Sequence, residues 1–247
     1  MQFYGDYHTH TKYSDGKGTI EENVAAARSR GLKEAAITDH GFRNMFCLRP
    51  RDVDKQKKEI EYCQKKYPDI KIYHGIEADL VGLDGRVDMD KRAFKDFDLV
   101  IAGYHPSALA YNLRDWYYIH AKTYYSAAFK PTKEIIRRNT RAAIEMIKRY
   151  DIDIYPHVNH SFIVDIAELA KACSDYGTYM ELNVKHIDEL SYRRLFESGA
   201  PLVAGSDAHT PDAVGGLDAA ADFAVKNGFD AEAIVNLKNP IVLKNKR

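Results

Sequence analysis

Cysteine, tryptophan, net charge and long apolar runs are all scarce in this 247-residue chain, which has three cysteines and one tryptophan. Cys47, Cys63 and Cys173 are odd in number, far apart and without a CxxC spacing, so neither a disulfide framework nor a cysteine-based zinc site is expected. The formal net charge is zero, which argues against a long nucleic-acid track because nucleic-acid-binding proteins usually carry a basic excess. No apolar run is long enough to span a membrane, and the acid and histidines of the first ten residues are unlike a signal peptide. We therefore expect a cytoplasmic protein without a membrane anchor.

Strand-like and helix-like segments alternate along the whole chain. The pattern predicts seven strands, at residues 3–8, 35–38, 71–81, 99–105, 153–158, 179–184 and 201–208. It predicts helices at residues 19–30, 51–67, 91–97, 132–150, 164–176, 191–198, 217–227 and 231–237, and a frayed tail at 243–247. A capping box of Thr19 and Glu22 is expected to open the first helix. Alternating β and α segments predict a parallel sheet. Seven repeats over this length favour a closed or nearly closed TIM-like barrel that forms one α/β domain, residues 1–247.

Histidines and carboxylates follow six of the seven predicted strands, and the sixth repeat offers Asn183 instead. Such barrels carry their sites at the C-terminal ends of the strands. The candidate ligands are His8, His10, Asp15, His40, Glu77, His105, His157, Asp207 and His209. Imidazole and carboxylate ligands suit Zn²⁺, Mn²⁺ or Fe²⁺ better than Ca²⁺ or Mg²⁺. The set is too large for a single ion, so we expect two to three divalent ions and the hydrolysis of a phosphate ester.

Six short motifs occur in a fixed order. They are HTHTKYSDG at 8–16, TDH at 38–40, GIEADL at 75–80, AGYH at 102–105, PH at 156–157 and GSDAH at 205–209. On these motifs the chain, from about residue 7 to residue 216, resembles the PHP superfamily, named for polymerase and histidinol phosphatase. Within it the chain looks most like the stand-alone bacterial phosphatases of the YcdX type. The resemblance implies a distorted (β/α)7 barrel with a trinuclear metal site and phosphoesterase activity.

The resemblance also implies a division of the ligands among three metals. The first metal would take His8 and His10 together with Glu77 and Asp207. Glu77 would bridge to a second metal, held by His105 and His157. The third metal would take His40 and His209, with Asp15 where the YcdX type often has a histidine, so its affinity or identity is expected to differ. A further departure is HVNH at 157–160, where the group usually reads HPGN, so His160 is an additional histidine.

Metal-dependent hydrolysis of a small phosphate monoester is the function that these residues predict. A hydroxide held between two metals would attack phosphorus, because the ions lower the pKa of water from about 15.7 towards about 7. Glu77, Asp207 and His209 are the residues we assign to catalysis. Asp39 is expected to accept a hydrogen bond from a ligand histidine and orient it. Candidates for holding the phosphate or leaving group are Arg43, Arg49, Arg114, Lys122 and His160.

Three other functions stay open at this point. A histidinol-phosphate phosphatase would use the same chemistry on an assigned substrate. A 3'-5' exonuclease or phosphodiesterase would follow the polymerase-linked members, although nucleic acid is disfavoured by the zero net charge. A non-catalytic metal-binding scaffold is disfavoured because buried unpaired carboxylates and histidines would be costly without metal. The partner would be a small phosphorylated metabolite, and a homo-oligomer is possible in each case.

The loop at residues 106–131 is too long for an ordinary βα connection. It holds Trp116, several tyrosines and four basic residues. It is expected either to cover the substrate as a lid or to pack its aromatic side chains on the barrel rim or against a second copy of the chain. Among the remaining histidines, His74 is expected to be packed or on the surface, and His120 and His186 to be on the surface.

Overall fold

The computed structural model describes residues 1–123 and 130–244, and its strands form one parallel sheet in chain order. The strands are β1 (Gly5–Asp6), β2 (Glu34–Ile37), β3 (Lys71–Asp79), β4 (Leu99–Gly103), β5 (Ile154–Tyr155), β6 (Tyr179–Asn183) and β7 (Leu202–Gly205). A parallel bridge between Thr9 and Ala208 joins the chain just after β1 to the chain just after β7. The sheet therefore curves into a nearly closed barrel, which confirms the predicted TIM-like fold of one domain.

All but the last of the longer helices lie between successive strands, and the last follows β7. They are α1 (Ile20–Ser29), α2 (Val53–Lys66), α3 (Lys133–Arg149), α4 (Ile166–Tyr176), α5 (Glu189–Glu197) and α6 (Asp218–Lys226). The predicted capping box of α1 is confirmed: the Glu22 amide donates to Thr19 Oγ1 (3.2 Å) and the Thr19 amide donates to Glu22 Oε2 (2.7 Å). Helix α4 ends at Gly177, whose φ of 65° is the left-handed conformation that stops a helix.

Several predicted strands are shorter in the structure than the sequence pattern suggests. Strand β1 has two residues instead of six, β5 has two instead of six, and β7 ends at Gly205 instead of Ala208. For β5 and β7 the physical reason is that the backbone leaves extended geometry where it presents site side chains, since φ is 29° at His157 and 49° at Asp207. Two predicted α-helices are 3-10 helices in the structure. The helix predicted at 91–97 is the 3-10 segment Lys91–Asp96, and the one predicted at 231–237 is two separate turns, Ala231–Ala233 and Val235–Leu237.

The C-terminal segment closes the end of the barrel opposite the site. Ile241 and Leu243 are buried with Tyr7, Leu99 and other residues in a small cluster of core side chains. The Lys244 amide donates to the Asp153 carboxylate at 2.7 Å. The tail that was expected to be frayed is therefore anchored at its first two residues, and residues 245–247 lie outside the described part of the chain.

The long loop after β4 contains ordered helical structure in its first half. A single turn, Leu113–Asp115, runs into a π-helical segment, Trp116–Ala121. Trp116 is half exposed, whereas His120 is buried and its Nδ1 lies 3.2 Å from the Tyr104 hydroxyl. The expectation that His120 lies on the surface is therefore wrong, because the helical segment turns it towards the barrel. The tyrosines and phenylalanine of residues 124–129 lie outside the described residues.

None of the helices within residues 1–123 and 130–244 has the length and apolar character needed to cross a membrane.

Candidate metal centre

The predicted ligands meet at the C-terminal ends of the strands because the pairing of neighbouring strands continues slightly beyond each strand. A bridge between His40 and Glu77 extends the β2–β3 pairing, with the Gly41 amide donating to the Glu77 carbonyl at 2.7 Å. On the other side of the barrel, the His10 amide donates to the Ala208 carbonyl at 2.8 Å. These contacts bring the histidines after β1 and the acid and histidine after β7 to the same place as Glu77.

Glu77 lies at the centre of the cluster and is fully buried. Its Oε1 is 3.1 Å from His157 Nε2, 3.3 Å from His8 Nε2 and 3.5 Å from His105 Nε2. Its Oε2 is 3.1 Å from His40 Nδ1 and 3.4 Å from His10 Nε2. One carboxylate is thus surrounded by five imidazoles, namely His8, His10, His40, His105 and His157.

Two further carboxylates border this group. Asp207 Oδ1 lies 3.4 Å from His10 Nε2 and 3.9 Å from His8 Nε2. Asp15 Oδ2 lies 3.2 Å from His209 Nε2 and 3.6 Å from His40 Nε2. Among the described residues, three sets of ligand atoms lie within 4.8 Å of one another: His8 with His10 and Asp207; His40 with Glu77 and His105; and His10 with Asp15, His40 and His209. The structure thus brings all nine predicted side chains into one cluster.

The residues present fit divalent metal ions, because several ligand atoms are buried without a hydrogen-bond partner. Within the described part of the chain, these atoms include His8 Nε2, both ring nitrogens of His10, His40 Nδ1 and Glu77 Oε2. The short distances between Glu77 and these rings do not have the alignment of a hydrogen bond. A buried polar atom without a partner is costly, and native proteins seldom contain several together. Imidazole nitrogens and carboxylate oxygens that converge in this way are the ligands of Zn²⁺ and similar ions.

The electrostatics of the cluster favour cations. Burial alone would raise the pKa of Glu77, but the surrounding imidazoles, His105 and His8 first, hold it well below its usual range. Burial opposes protonation of His8 as well, yet the carboxylates of Glu181 and Glu77 raise its pKa well above the usual value. His10 shows the reverse, since burial and the neighbouring His40 lower its pKa to about 3. The acidic groups therefore stay ionised and attract positive charge.

Two buried carboxylates that were not among the predicted site residues accept hydrogen bonds from ligand histidines, on the ring nitrogen that faces away from Glu77. Glu181 Oε1 accepts from His8 Nδ1 at 2.7 Å, and Asp79 Oδ1 accepts from His105 Nδ1 at 2.5 Å. A carboxylate on one ring nitrogen leaves the other, Nε2, free to face a metal. The period-2 pattern of a strand could have found both, since Asp79 is two residues after Glu77 and Glu181 is two residues before Asn183.

Asp39 was expected to accept a hydrogen bond from a ligand histidine, but its hydrogen-bond partners in the structure are other residues. Its carboxylate accepts from the amide and hydroxyl of Thr11 (2.7 Å each), from the Ser14 hydroxyl (2.5 Å) and from Gln56 Nε2 (2.6 Å). Burial raises the pKa of Asp39, and the hydrogen bonds from Ser14 and Thr11 oppose that rise. Asp39 thereby supports the loop that carries Asp15, rather than the ring of a ligand histidine.

The backbone is strained at the cluster. Within the described residues, the non-glycine residues with positive φ are His157, Asn159 and Asp207, and the first and last of these are candidate ligands. Such conformations cost energy and persist where the surrounding structure imposes them, which is frequent at functional sites. At Asp207, the strain accompanies the turn that follows β7 and aims the carboxylate at His10.

A cavity of about 200 Å³ opens onto the cluster, and basic side chains lie at its mouth. Lys185 Nζ lies 3.4 Å from Asp207 Oδ1 and 3.0 Å from His209 Nδ1. The rings of His160 and His186 stack at 3.6 Å between centroids, and His186 Nε2 is 3.6 Å from Asp207 Oδ2. His186 therefore belongs to the rim of the site and is not an ordinary surface residue. Lys185 was not among the predicted site residues, although its position just after β6 was a signal.

The three predicted substrate-binding arginines lie outside this cavity. Arg43 donates to the Leu109 carbonyl at 3.1 Å and packs over the Tyr111 ring, so it holds the start of the long loop. Arg49 lines a neighbouring cavity of about 600 Å³, which shares Phe46 with the metal-cluster cavity. Arg114 lines a third cavity elsewhere. Only His160, of the residues predicted to bind substrate, lines the metal-cluster cavity.

Comparison with known proteins agrees with this geometry. A model described as PHP domain matches residues 6–185 of the chain. Proteins named "Probable phosphatase" from Shewanella loihica and Aeromonas hydrophila are 27% and 28% identical, over 96% and 95% of this chain and 90% of their own lengths. Among solved structures, histidinol phosphate phosphatase from Lactococcus lactis, complexed with zinc, L-histidinol and phosphate, has a TM-score of 0.61 at 19% identity. That similarity covers 92% of this chain and 94% of the other, and it concerns the fold.

Proposed function

Because this chain belongs to the PHP domain family, we propose that it is a metal-dependent phosphoesterase that hydrolyses a small phosphate monoester. The observation that carries the proposal is a buried glutamate encircled by five imidazoles, several of whose nitrogen atoms have no hydrogen-bond partner among the described residues. No simpler structural role accounts for so many buried ligand atoms at one end of a barrel. A metal centre does account for them.

The proposed centre holds two to three divalent ions, Zn²⁺, Mn²⁺ or Fe²⁺. Glu77 is the shared ligand in this proposal. His8, His10 and Asp207 complete one position, His105 and His157 a second, and Asp15, His40 and His209 a third. Divalent ions in such a centre supply Lewis-acid chemistry towards a phosphoryl group and make water more acidic.

The protein's own side chains prepare the centre for this chemistry. Glu181 and Asp79 accept from His8 Nδ1 and His105 Nδ1, which leaves Nε2 of each ring to face the cluster. The ligands themselves are mostly buried, so they are held in place by packing and do not have to be ordered by substrate. At the cavity mouth, the Lys185 ammonium is placed to bind an oxygen of the phosphoryl group.

The leaving group is proposed to occupy the larger neighbouring cavity. Phe46 lines both cavities, so an ester with its phosphate at the cluster reaches the larger one past this ring. That cavity is lined by three basic side chains (Lys12, Arg49 and Lys55), two acidic side chains (Asp52 and Glu59), and Tyr13 and Met45. It therefore suits a leaving group that combines an apolar part with polar, hydrogen-bonding groups.

The other candidate functions differ from this one in substrate or in the absence of catalysis. The similarity to the Lactococcus lactis histidinol phosphate phosphatase, at 19% identity, does not select histidinol phosphate as the substrate here. A nuclease would need a surface for a polynucleotide, and a scaffold would bind metal without turnover. Each of these three alternative functions can be tested in the same experiment.

The experiment combines metal analysis with turnover. Protein purified without chelator is analysed for Zn, Mn and Fe, and is then assayed with p-nitrophenyl phosphate, histidinol phosphate, a panel of sugar and nucleoside monophosphates, and a single-stranded oligonucleotide. Glu77→Gln is expected to lose most of the activity while keeping its far-UV circular dichroism, because the shared ligand of the proposed centre is replaced. Glu61→Gln, an exposed glutamate on α2, is the matched control and should behave as wild type.

Two results would contradict the proposal. The first is less than one equivalent of metal per chain that does not increase when metal is added. The second is near-normal turnover by metal-loaded Glu77→Gln. Metal binding without hydrolysis of any phosphate ester would instead support the scaffold.

A further inference from the structure

A separate cavity of about 520 Å³ opens beside the base of the 106–131 loop. Three chain segments line it: residues 83–86, residues 112–115 and one face of helix α3. They bring together five arginines and three carboxylates, namely Arg86, Arg114, Arg138, Arg141 and Arg149 with Asp84, Asp115 and Glu145. None of these residues lines the metal-cluster cavity or belongs to the candidate ligands.

Two of the arginines are neutralised by the carboxylates of the cavity. Arg86 donates to Asp84 Oδ1 at 2.9 Å and to Asp115 Oδ2 at 3.0 Å. Arg149 Nη1 lies 3.5 Å from the other oxygen of Asp84. The third carboxylate, Glu145, is paired with Lys148 at 3.1 Å. The acids of the cavity are therefore already engaged.

The other three arginines have no carboxylate partner within the described part of the chain. Arg114 and Arg141 are exposed, and Arg138 is half-buried. Arg138 Nη2 donates to Asn139 Oδ1 at 3.2 Å, and its guanidinium lies 5.7 Å from the centre of the Tyr118 ring. Glu134, one turn earlier on α3, acts on it electrostatically without forming an ion pair, and Arg138 Nε is buried with no hydrogen-bond partner among the described residues. Arg138 and Arg141 also lie three residues apart on α3, a spacing at which like charges repel.

This arrangement leaves the positive charge of three guanidinium groups available to an anion. Isolated surface arginines are ordinarily solvated, but Arg138 Nε is withdrawn from water and left unpaired among the described residues. A guanidinium group matches the oxygens of a phosphate in geometry as well as charge. We propose that this arginine cavity is a second anion-binding site, which takes the phosphate or diphosphate group of a small molecule.

An anion in the arginine cavity would connect two parts of the fold. Arg114 belongs to the long loop, whereas Arg138 and Arg141 belong to α3. The loop base is already held at Asp115, which accepts from Arg86 and from Asn112 Nδ2 (2.7 Å). A phosphate that contacts both sets of arginines would tie the start of the loop to the helix. The site is independent of the proposed phosphoesterase activity.

The test is a calorimetric titration of the metal-loaded full chain with inorganic pyrophosphate, with metal content measured before and after. The double variant Arg138→Gln/Arg141→Gln removes two unpaired guanidinium groups. Arg137→Gln is the matched control, because it removes the same kind of charge from an exposed position on the same helix outside the cavity. Turnover of p-nitrophenyl phosphate is followed in all three proteins.

We expect the double variant to lose one class of bound pyrophosphate, or to bind it roughly tenfold more weakly or worse, because each lost bond involves a charged group. Arg137→Gln should bind as wild type does, and turnover should be retained in both variants. If the double variant does not fold, Arg138→Lys/Arg141→Lys keeps the charge but loses the planar fork, and it should also bind more weakly. Equal binding by all proteins, or an equal loss in Arg137→Gln, would overturn the second site without bearing on the metal centre.

Discussion

Replacing Glu181 by glutamine should weaken metal binding although Glu181 is not itself one of the proposed ligands. Its buried carboxylate accepts three hydrogen bonds: Oε1 from His8 Nδ1 at 2.7 Å, and Oε2 from the His157 amide and from Asn183 Nδ2 at 2.8 Å each. Glutamine has the same shape but only one acceptor oxygen. Its amide group must therefore face a donor in either orientation.

Both orientations of a glutamine side chain at position 181 are costly, for different reasons. With the NH₂ towards His8, the imidazole must carry its proton on Nε2, the nitrogen that faces the cluster, and that nitrogen can no longer bind a metal. With the NH₂ in the place of Oε2, it faces the His157 amide and Asn183 Nδ2, which are both donors, and both of these hydrogen bonds are lost. Changes of this kind typically cost roughly 10- to 100-fold in metal affinity, which corresponds to about 1.4 to 2.8 kcal/mol.

The assay is a competition between the protein and a chelator of known zinc affinity at neutral pH. Glu181→Gln and the exposed control Glu61→Gln are compared with wild type, and far-UV circular dichroism is measured to show that each protein is folded. We expect a roughly 10- to 100-fold weaker zinc affinity for Glu181→Gln only. An affinity close to that of wild type in a folded protein would refute the reasoning that Glu181 sets the tautomer of His8.

Three further predictions concern neighbouring residues. Gly205→Ala should weaken zinc binding in the same competition assay, because the added Cβ would collide with Glu181 Oε1 and displace it; unchanged affinity would show that its position is unimportant. Lys185→Gln should raise KM for phosphate monoesters several-fold with metal content unchanged, because its ammonium lies at the cavity mouth; an unaltered KM would exclude phosphate binding by Lys185. Burial, together with the charge of Asp79, raises the pKa of Asp88 to about 7, so this carboxyl holds its proton more tightly in the folded protein, and its contribution to stability is lost as pH rises through about 7. Asp88→Asn should therefore show a shallower decline in the free energy of unfolding from about pH 5 to about pH 8 in urea titrations than wild type, and parallel declines would contradict the assignment.

Much of the fold could be predicted from the sequence because its signals are local. The alternation of apolar strands and amphipathic helices predicted the parallel barrel, and the capping box at Thr19 and Glu22 predicted the start of α1. Strands β1, β5 and β7 were predicted too long, and after β5 and β7 the predicted strand continues into residues whose backbone has left extended geometry. His120 was misjudged because its burial depends on the helical path of the long loop.

The sequence by itself determined which residues could form the cluster. The HTH motif follows the first strand and the DAH motif follows the last, and a parallel barrel brings all strand ends to one rim. Residue type then selected the chemistry, since imidazole and carboxylate side chains together favour transition-metal ions.

Only the tertiary structure decided which groups support that cluster and which belong elsewhere. Glu181 meets His8 across 173 residues of sequence, a contact that exists because the barrel closes. The same closure placed Lys185 at the cavity mouth and separated Arg114 from it into the arginine cavity. Contacts of this kind depend on how distant segments pack. A sequence pattern carries information about strand faces and residue types, but it does not tell which distant side chain completes a hydrogen bond.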